Sequence, residues 1–544
     1  MRLAAAVLSP AIFAATLAAL PAAAPAQTTA MPAAAMAIQA ALPRMAAPFA
    51  QGILQAAGED AALAAFYRDR DFAPLWTGPA DAGRRAALMA ALDAAPLHAL
   101  PDFGAADLRA RAAATRSEAE RGRLDVAMTR AFLAYARAVE TGLVAPNSVN
   151  GIVRTVEPRE TRDLLDAFAA GDPGAFLRTL PPASPEYVRL MRARAALLAA
   201  EAAGGWGPAV TARALKPGDR GPAVIALRDR LVRMGYMAPS VAAEYGTAIE
   251  AGVQAFQLAH GLTPDGVAGE ATMTALNTPL ATRLGALAVA MERERWLPRE
   301  RGERHIWVNL ADFSAKIIDD GKVTFATRAV IGASLQEKNT PEFSRLMTYM
   351  EVNPDWTVPP GIIRRDYLPA LQANPNALRH LEVIDARGRV VPRDQIDFSA
   401  YSARNFPFNL RQPPGASNAL GRVKFMFPNP WSIYLHDTPE RHLFAREVRT
   451  YSSGCVRLAD PFDFAYRLLE RQADDPRAAF HRVLDTGRQE RIFLETPVPI
   501  HLDYRTAFTG AKGEVHFRRD IYGRDAAILA ALVRAGVDPA AMPM

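Results

Sequence analysis

Hydrophobic positions along this chain change texture three times. From about 51 to 200 the chain is rich in alanine and its apolar residues follow a helical period. Leu124, Met128 and Phe132 recur at four-residue spacing beside Ala127, Ala131 and Tyr135, which predicts one apolar helix face. From about 215 to 278 the periods are short and punctuated. Lys216-Pro217-Gly218-Asp219 predicts a turn before a helix carrying Val224, Leu227, Leu231 and Met234. A second helix carries Ile249, Val253 and Phe256. The loop Leu262-Thr263-Pro264-Asp265-Gly266 leads to a short helix with Met273 and Leu276. Beyond about 290 the pattern turns to strands: His305 to Leu310, Ala315 to Ile318, Lys322 to Ile331 after an Asp320-Gly321 hairpin turn, Trp431 to His436, and Arg491 to Glu495. One stretch, 365–412, interrupts them with a helical run from Tyr367 to Leu381, broken at Asn374-Pro375-Asn376, and then Arg/Asp/Phe/Pro-rich loops. It is read as an insertion, with a lid and mere decoration as the two alternatives. The expected class is multidomain α+β. A helical N-terminal scaffold occupies 51–205, a small three-helix bundle 215–278, a β-rich domain 290–510, and a C-terminal extension 511–544.

The first residues change the picture of where such a chain works. Arg2 precedes a nearly continuous apolar run from Leu3 to Leu20, and Ala24-Pro25-Ala26 fits a small-residue cleavage site. Residues 1–26 are therefore expected to be a signal peptide, with 27–50 a flexible Ala/Pro/Met/Gln-rich lead-in. A membrane anchor is the alternative, but the run is short for a span and is broken by Pro10. No later segment has the length and apolarity of a span, so no stable membrane span is expected after cleavage. The net charge of +6 and pI near 9.4 suit an anionic polymer partner. Without a Lys/Arg block, no nucleic-acid partner is expected. The aromatics at Phe66-Tyr67 and Phe72 to Trp76 suit either sugar contact or a core, and the spacing favours the core.

The candidate chemistry centres on one residue. Cys455 is the only cysteine of 544 residues and lies in Ser452-Ser453-Gly454-Cys455-Val456-Arg457. An intramolecular disulfide and a multi-cysteine zinc site are both excluded. His436 lies nineteen residues upstream, in Tyr434-Leu435-His436-Asp437-Thr438. If Trp431 to His436 is a strand, Ser432, Tyr434 and His436 share one face, and Trp431, Ile433 and Leu435 the other. An unperturbed thiol is mostly protonated at neutral pH, so a histidine within reach would supply the thiolate for acyl transfer. His442 is a rival base. Gly454 permits a tight turn, and Asp460-Pro461 predicts a helix start shortly after Cys455.

Two stretches resemble known families. Gly218-Asp219-Arg220-Gly221, Val253-Gln254-Ala255-Phe256-Gln257, and Asp265 to Thr272 followed by Ala275-Leu276-Asn277 resemble the peptidoglycan-binding-domain-1 family. Tyr434-Leu435-His436-Asp437-Thr438 with Ser452 to Arg457 resembles the YkuD-type L,D-transpeptidase catalytic domain. Further matches are Asn353 to Pro359, Gln412 to Gly415, Asn418 to Gly421 and Val423 to Phe425, which suggest the long Gram-negative subgroup. Ser453 departs from the commonest pattern, which places histidine before Gly-Cys, so no second histidine is expected there.

The resemblance implies Cys455 as nucleophile and His436 as general base and acid, with Gly454 and Cys455 N–H groups as oxyanion donors. Ser453 would orient the imidazole through its carbonyl. Tyr434 would line the donor site, add a hydroxyl to the oxyanion hole, or pack beside His436. Arg457 would hold a substrate carboxylate or brace the loop, and Trp356 would be core or a substrate subsite. It further implies a periplasmic enzyme of peptidoglycan biosynthesis that forms 3→3 cross-links from tetrapeptide stems and is acylated by carbapenems. No metal and no cofactor is expected. The expected partners are peptidoglycan and other cell-wall enzymes. A wall stem, a lipoprotein, a free D-amino acid and water all stay open as acceptors. A wall-binding scaffold with an inactive domain, and a carboxypeptidase or other cysteine peptidase, are the alternatives.

Overall fold

The computed structural model describes residues 47–541. The expected signal peptide, 1–26, and most of the lead-in lie outside the described residues. Among those residues no helix is long and apolar enough to cross a membrane. The protein is multidomain α+β, with helices first and a β-rich domain after them.

The N-terminal region packs short helices against the long helix Glu118–Thr141. Its buried stripe includes Leu124, Met128, Phe132 and Tyr135, while Ala127 and Ala131 are partly covered. Ser117 and Glu120 close its N-terminus as a reciprocal capping box. The early aromatics are core: Phe66, Tyr67 and Trp76 are fully buried, and Phe72 packs against them. Buried Asp125 accepts hydrogen bonds from Tyr67 Oη at 2.7 Å and from the N–H groups of Leu75, Trp76 and Thr77. Such satisfaction is what permits a carboxylate in an apolar core.

The second unit has the helices Pro222–Arg233, Thr247–Ala259 and Glu270–Leu276 around a small core of Val224, Leu227, Leu231, Ile249, Val253, Phe256 and Leu276.

The β-rich domain contains β1 (Arg304–Asn309), β2 (Ser314–Asp319), β3 (Lys322–Gly332), β4 (Phe343–Val352), β5 (Trp356–Thr357), β6 (Glu382–Ile384), β7 (Asn409–Gln412), β8 (Val423–Met426), β9 (Leu435–His436), β10 (Thr450–Ser452), β11 (Val456–Leu458) and β12 (Glu490–Asp503). Nine of them form one sheet in the order β10-β3-β11-β9-β8-β4-β12-β1-β2, and β2 also pairs with β3, so the order closes on itself. Long β3 makes this possible: its first half pairs with β2, its end with β11 and β10. Asp320-Gly321 forms the β2–β3 turn, both residues at positive φ.

The 365–412 stretch folds together with the segment from β5 onward as a unit of its own. β5, β7 and β6 make a separate three-stranded sheet over a core including Leu368, Leu371, Val383, Phe398 and Leu410. The expected helical run starts earlier, at Pro360, passes through a π-helical turn, Ile363–Tyr367, and ends with the short helix Leu368–Ala373 just before the expected break at Asn374-Pro375-Asn376; the segment to Leu381 is turns, not helix.

Beyond β12, β13 (Ala507–Thr509) and β14 (Val515–Phe517) form a hairpin, and the helix Arg524–Arg534 packs back on the helix Leu280–Arg295. Buried ion pairs join the regions: Arg293 bridges Glu342 and Asp525, Arg524 meets Glu342, and Arg505 meets Glu294. Pairs this deep cost desolvation, but breaking one strands a charge, so they hold the regions in one arrangement.

Candidate active site

β9 and β11 run parallel in register, Leu435 opposite Val456 and His436 opposite Arg457. Leu435, Val456 and Leu458 enter the main core. The alternate residues face the other way, so His436 and Arg457 share the outer face. Tyr434 and Cys455, each two residues earlier, arrive on that same face. The Tyr434 and His436 rings meet edge-to-face at 5.7 Å between centroids. The lysine opposite His436 on β8, Lys424, joins the row and pairs with Glu351.

The expected strand from Trp431 is shorter than its pattern. Only Leu435 and His436 ladder, because Asn429 caps a turn through the N–H groups of Trp431 and Ile433 and Ser432 takes φ +54°. Ser432 and Trp431 therefore leave the alternation, and Trp431 is exposed against Phe343 instead of buried.

His436 is buried, and its Nδ1 lies 2.5 Å from the Asp437 carbonyl. A carbonyl can only accept, so Nδ1 carries the proton and Nε2 is left as the base. The imidazole is thus oriented by the Asp437 carbonyl, and among the described residues no hydrogen bond joins it to the Ser453 carbonyl, the expected partner. Asp437 is itself fixed: its carboxylate accepts the N–H groups of Arg422 at 2.9 Å and Thr438 at 2.7 Å. Gly421 makes room for it, since a Cβ there would lie 2.3 Å from that carboxylate. Burial, then the Arg457 charge, hold the His436 pKa down to about 3.

Burial pushes the Cys455 thiol up to about 11, although the Tyr434 N–H and hydroxyl and the charges of Arg457 and Lys424 oppose it. The thiol is directed at the Ser432 carbonyl, 3.6 Å away. The resting pair is therefore a neutral thiol and a neutral imidazole. Burial and the neighbouring sulfur likewise raise Tyr434 well above the ordinary phenol range.

The loop before Cys455 is stitched by residues that carried no expectation. Ser452 Oγ donates to the Cys455 carbonyl at 2.5 Å and accepts the Gly454 N–H at 3.0 Å. Thr340 Oγ1 donates to the Gly454 carbonyl at 2.7 Å. The Gly454 N–H, expected as an oxyanion donor, is thus already engaged, which leaves the Cys455 N–H and the Tyr434 hydroxyl as candidates. Asp460 does not cap the following helix, Pro461–Leu469; its carboxylate takes the Thr327 hydroxyl at 2.8 Å. Arg457 pairs with Glu440. His442 is exposed on the Arg441–Ala445 turn, outside the cluster. Trp356, on β5 just ahead of the insertion, is half-buried against Tyr367 and the insertion's core. Tyr367 in turn feels the Glu440 carboxylate, which puts the insertion beside the Arg457 end of the row.

Comparison with known proteins follows this division. Residues 303–500 match the family described as "L,D-transpeptidase catalytic domain", 61–193 the "Scaffold domain", and 220–276 the "Putative peptidoglycan binding domain". A Haemophilus influenzae protein named "Putative L,D-transpeptidase" is 33% identical over 241 residues, 44% of this chain and 48% of that protein, so the match spans about half of the relative's length. Among solved structures, an L,D-transpeptidase from Xylanimonas cellulosilytica is 18% identical, covering 54% of this chain and 99% of that one, with a TM-score of 0.17. A fused Zn-dependent amidase/peptidase/peptidoglycan-binding protein from Clostridium acetobutylicum is 14% identical over 53% and 98%, with a TM-score of 0.15. Those two scores carry no weight here. The family matches fall on the same residues as the β-rich domain and the three-helix unit: residues 303–500 match a YkuD-type L,D-transpeptidase catalytic domain, and a peptidoglycan-binding-type domain lies ahead of it at 220–276.

Proposed function

We propose that this protein is an extracytoplasmic L,D-transpeptidase that forms 3→3 cross-links between peptidoglycan stems through a thioester on Cys455. The observation that carries the reading is the single sheet face shared by Cys455, His436, Tyr434 and Arg457. With both partners neutral at rest, the thiol proton passes to His436 Nε2 as sulfur attacks the carbonyl of the third stem residue. The Cys455 N–H and the Tyr434 hydroxyl meet the oxyanion. The C–N bond to the terminal D-alanine breaks, and the imidazolium returns its proton to that leaving amine. An amine of a second stem then attacks the thioester and loses a proton to His436; the C–S bond breaks, and the imidazolium returns that proton to the sulfur to restore the thiol. Arg457, braced by Glu440, keeps the pocket positive and favours neutral His436. A carbapenem would acylate the same sulfur.

The test is mass spectrometry of muropeptides after incubation of disaccharide tetrapeptides with the protein and its Cys455→Ala variant. Cysteine-dependent dimers with loss of D-alanine are expected. Cysteine-dependent tripeptide monomers alone would replace the reading with a carboxypeptidase, and no cysteine-dependent product would refute it.

A further inference from the structure

Five arginines gather around a cavity away from the Cys455 row. A cavity of about 430 Å³ opens between the three-helix unit and the β-rich domain, lined among others by Leu262, Phe313, Arg328, Arg446, Arg449 and Arg518. A second cavity of about 590 Å³ continues along the three-helix unit and shares His260, Leu262, Arg518 and Arg519 with the first. Arg518 forms the floor between them, with Nε 2.6 Å from Asp312 Oδ1 and Nη1 2.9 Å from the Ala259 carbonyl.

The arginines of the first cavity differ in what they meet. Arg518 and Arg519 have carboxylate partners, Asp312 and Glu447. Arg449 spends its guanidinium on the carbonyls of Ala329, Arg446 and Phe313, and Arg328 reaches the Phe444 carbonyl at 3.2 Å. Carbonyls position a guanidinium and leave its charge unbalanced. Among the described residues, none of Arg328, Arg446 and Arg449 forms an ion pair with a carboxylate, and Arg328 and Arg446 are exposed. Arg449 also feels the Asp312 carboxylate of the same cavity, which leaves exposed Arg328 and Arg446 as the guanidinium groups free to meet an incoming carboxylate.

The cleft lies on the same side of β3 and β11 as the reacting thiol, with the buried cluster of Val330, Leu443, Phe444 and Ala459 between them. Arg457 on β11 stands opposite Val330 on β3, and Arg328 is two residues further along β3 on the same face. Cys455 is two residues in the other direction. At about 3.3 Å per residue the thiol and Arg328 are roughly 13 Å apart along the strands, with the Arg441–Ala445 turn between them. An extended peptide of four residues spans about that distance.

Resting on the proposed function, we propose that this cleft binds the carboxylates of a peptidoglycan stem peptide while the stem, or its neighbour on the same glycan strand, reaches Cys455. The three-helix unit then contributes one wall of the substrate path and not only an anchor.

The test uses the whole chain carrying Cys455→Ala, so that binding is read without turnover. Its titration with a disaccharide tetrapeptide is compared with the same compound in which the carboxylates are amidated. The free-acid form should bind more tightly, and Arg328→Glu/Arg446→Glu should weaken it about tenfold and abolish the preference. The milder Arg446→Gln should give a smaller change in the same direction, which guards against a folding defect. Equal binding of acid and amide, or a charge-reversed protein that binds as the parent does, overturns the proposal. In the chain that keeps Cys455, acylation by a small β-lactam tests the catalytic reading separately. It should survive both arginine changes, and its loss on Arg328→Glu/Arg446→Glu would overturn a binding site separate from the catalytic centre.

Discussion

Gly454 shows how narrowly the nucleophile is set. Its φ is +125°, and a Cβ would lie 2.9 Å from Ile433 Cδ1, so any side chain must shift the residue that precedes the thiol. Gly454→Ala should leave the protein folded, because the close atom is the end of one side chain and not backbone, while cutting Cys455 acylation roughly a hundredfold, the scale of an ångström-size misplacement. Unchanged acylation rates would show that the loop adapts. The protonation states give a second expectation. With the thiol pushed up to about 11, alkylation by iodoacetamide should rise about tenfold per pH unit from roughly pH 7 to 10. A plateau between roughly pH 6 and 8 would instead mean a preformed thiolate–imidazolium pair. Acyl transfer from substrate should not share that steep rise, since neutral His436, held at about 3, is ready as a base throughout.

Elements were legible where a pattern is local. The helix around Leu124, Met128 and Phe132 and the β2–β3 hairpin at Asp320-Gly321 depend on periodicity and turn chemistry within a few residues, and both lie where the pattern puts them. Phe132 is fully buried, so Phe132→Ala should cost about 3–5 kcal/mol of stability, read by denaturant unfolding. The Tyr434/His436 face was legible for the same reason. What was not legible depends on distant partners. Thr340 holds the Gly454 carbonyl from more than a hundred residues away, and nothing in its neighbourhood marks it. Asp460 has the sequence of a helix cap, yet the Thr327 hydroxyl across the sheet takes its carboxylate. Trp431 has the pattern of a strand residue, and Asn429 overrides it with a turn. The insertion is a case in between: its extent was visible as a break in texture, its separate sheet was not. Thr357 and Arg411, at its base, are direct strand partners. Replacing 358–410 by a two-residue turn should therefore leave the closed sheet intact. If the insertion is a lid, turnover of muropeptides should fall sharply while acylation by a small β-lactam persists. Equal turnover would make it decoration.

At the scale of the whole molecule, the joints between regions carry buried histidines, and this gives the protein a specific weakness to acid. His98 sits with Tyr187 Oη at 3.0 Å in the joint between the scaffold helices and the helix Leu280–Arg295, whose Arg295 reaches the His98 carbonyl. His260 stacks on Phe256 within the three-helix unit and on Phe517 of the C-terminal hairpin. His501 Nδ1 meets Ser344 Oγ at 2.8 Å, the same hydroxyl that receives Arg154 from the N-terminal region. Burial first, then neighbouring arginines, hold all three down to about 3, as they do His436. The sign follows directly. Below about 6.5 the unfolded chain takes up these protons and the folded one does not, so stability is complete above that pH and is lost as pH falls toward 3. Each histidine contributes a slope of at most about 1.4 kcal/mol per pH unit across that window. Asp525 works in the opposite direction, since burial raises its pKa to about 6 and the folded state gains a proton first. One group against four cannot reverse the trend. Urea midpoints measured from about pH 7 to 4 should therefore fall steeply, and a variant such as His501→Asn, which keeps a polar partner for Ser344, should flatten part of that fall. Midpoints that stay level over the range would mean that these histidines are protonated in the folded protein. The joints would then have to open or rearrange to solvate them, and the buried ion pairs around Arg293, Glu342 and Arg505 would be left to hold the regions together alone.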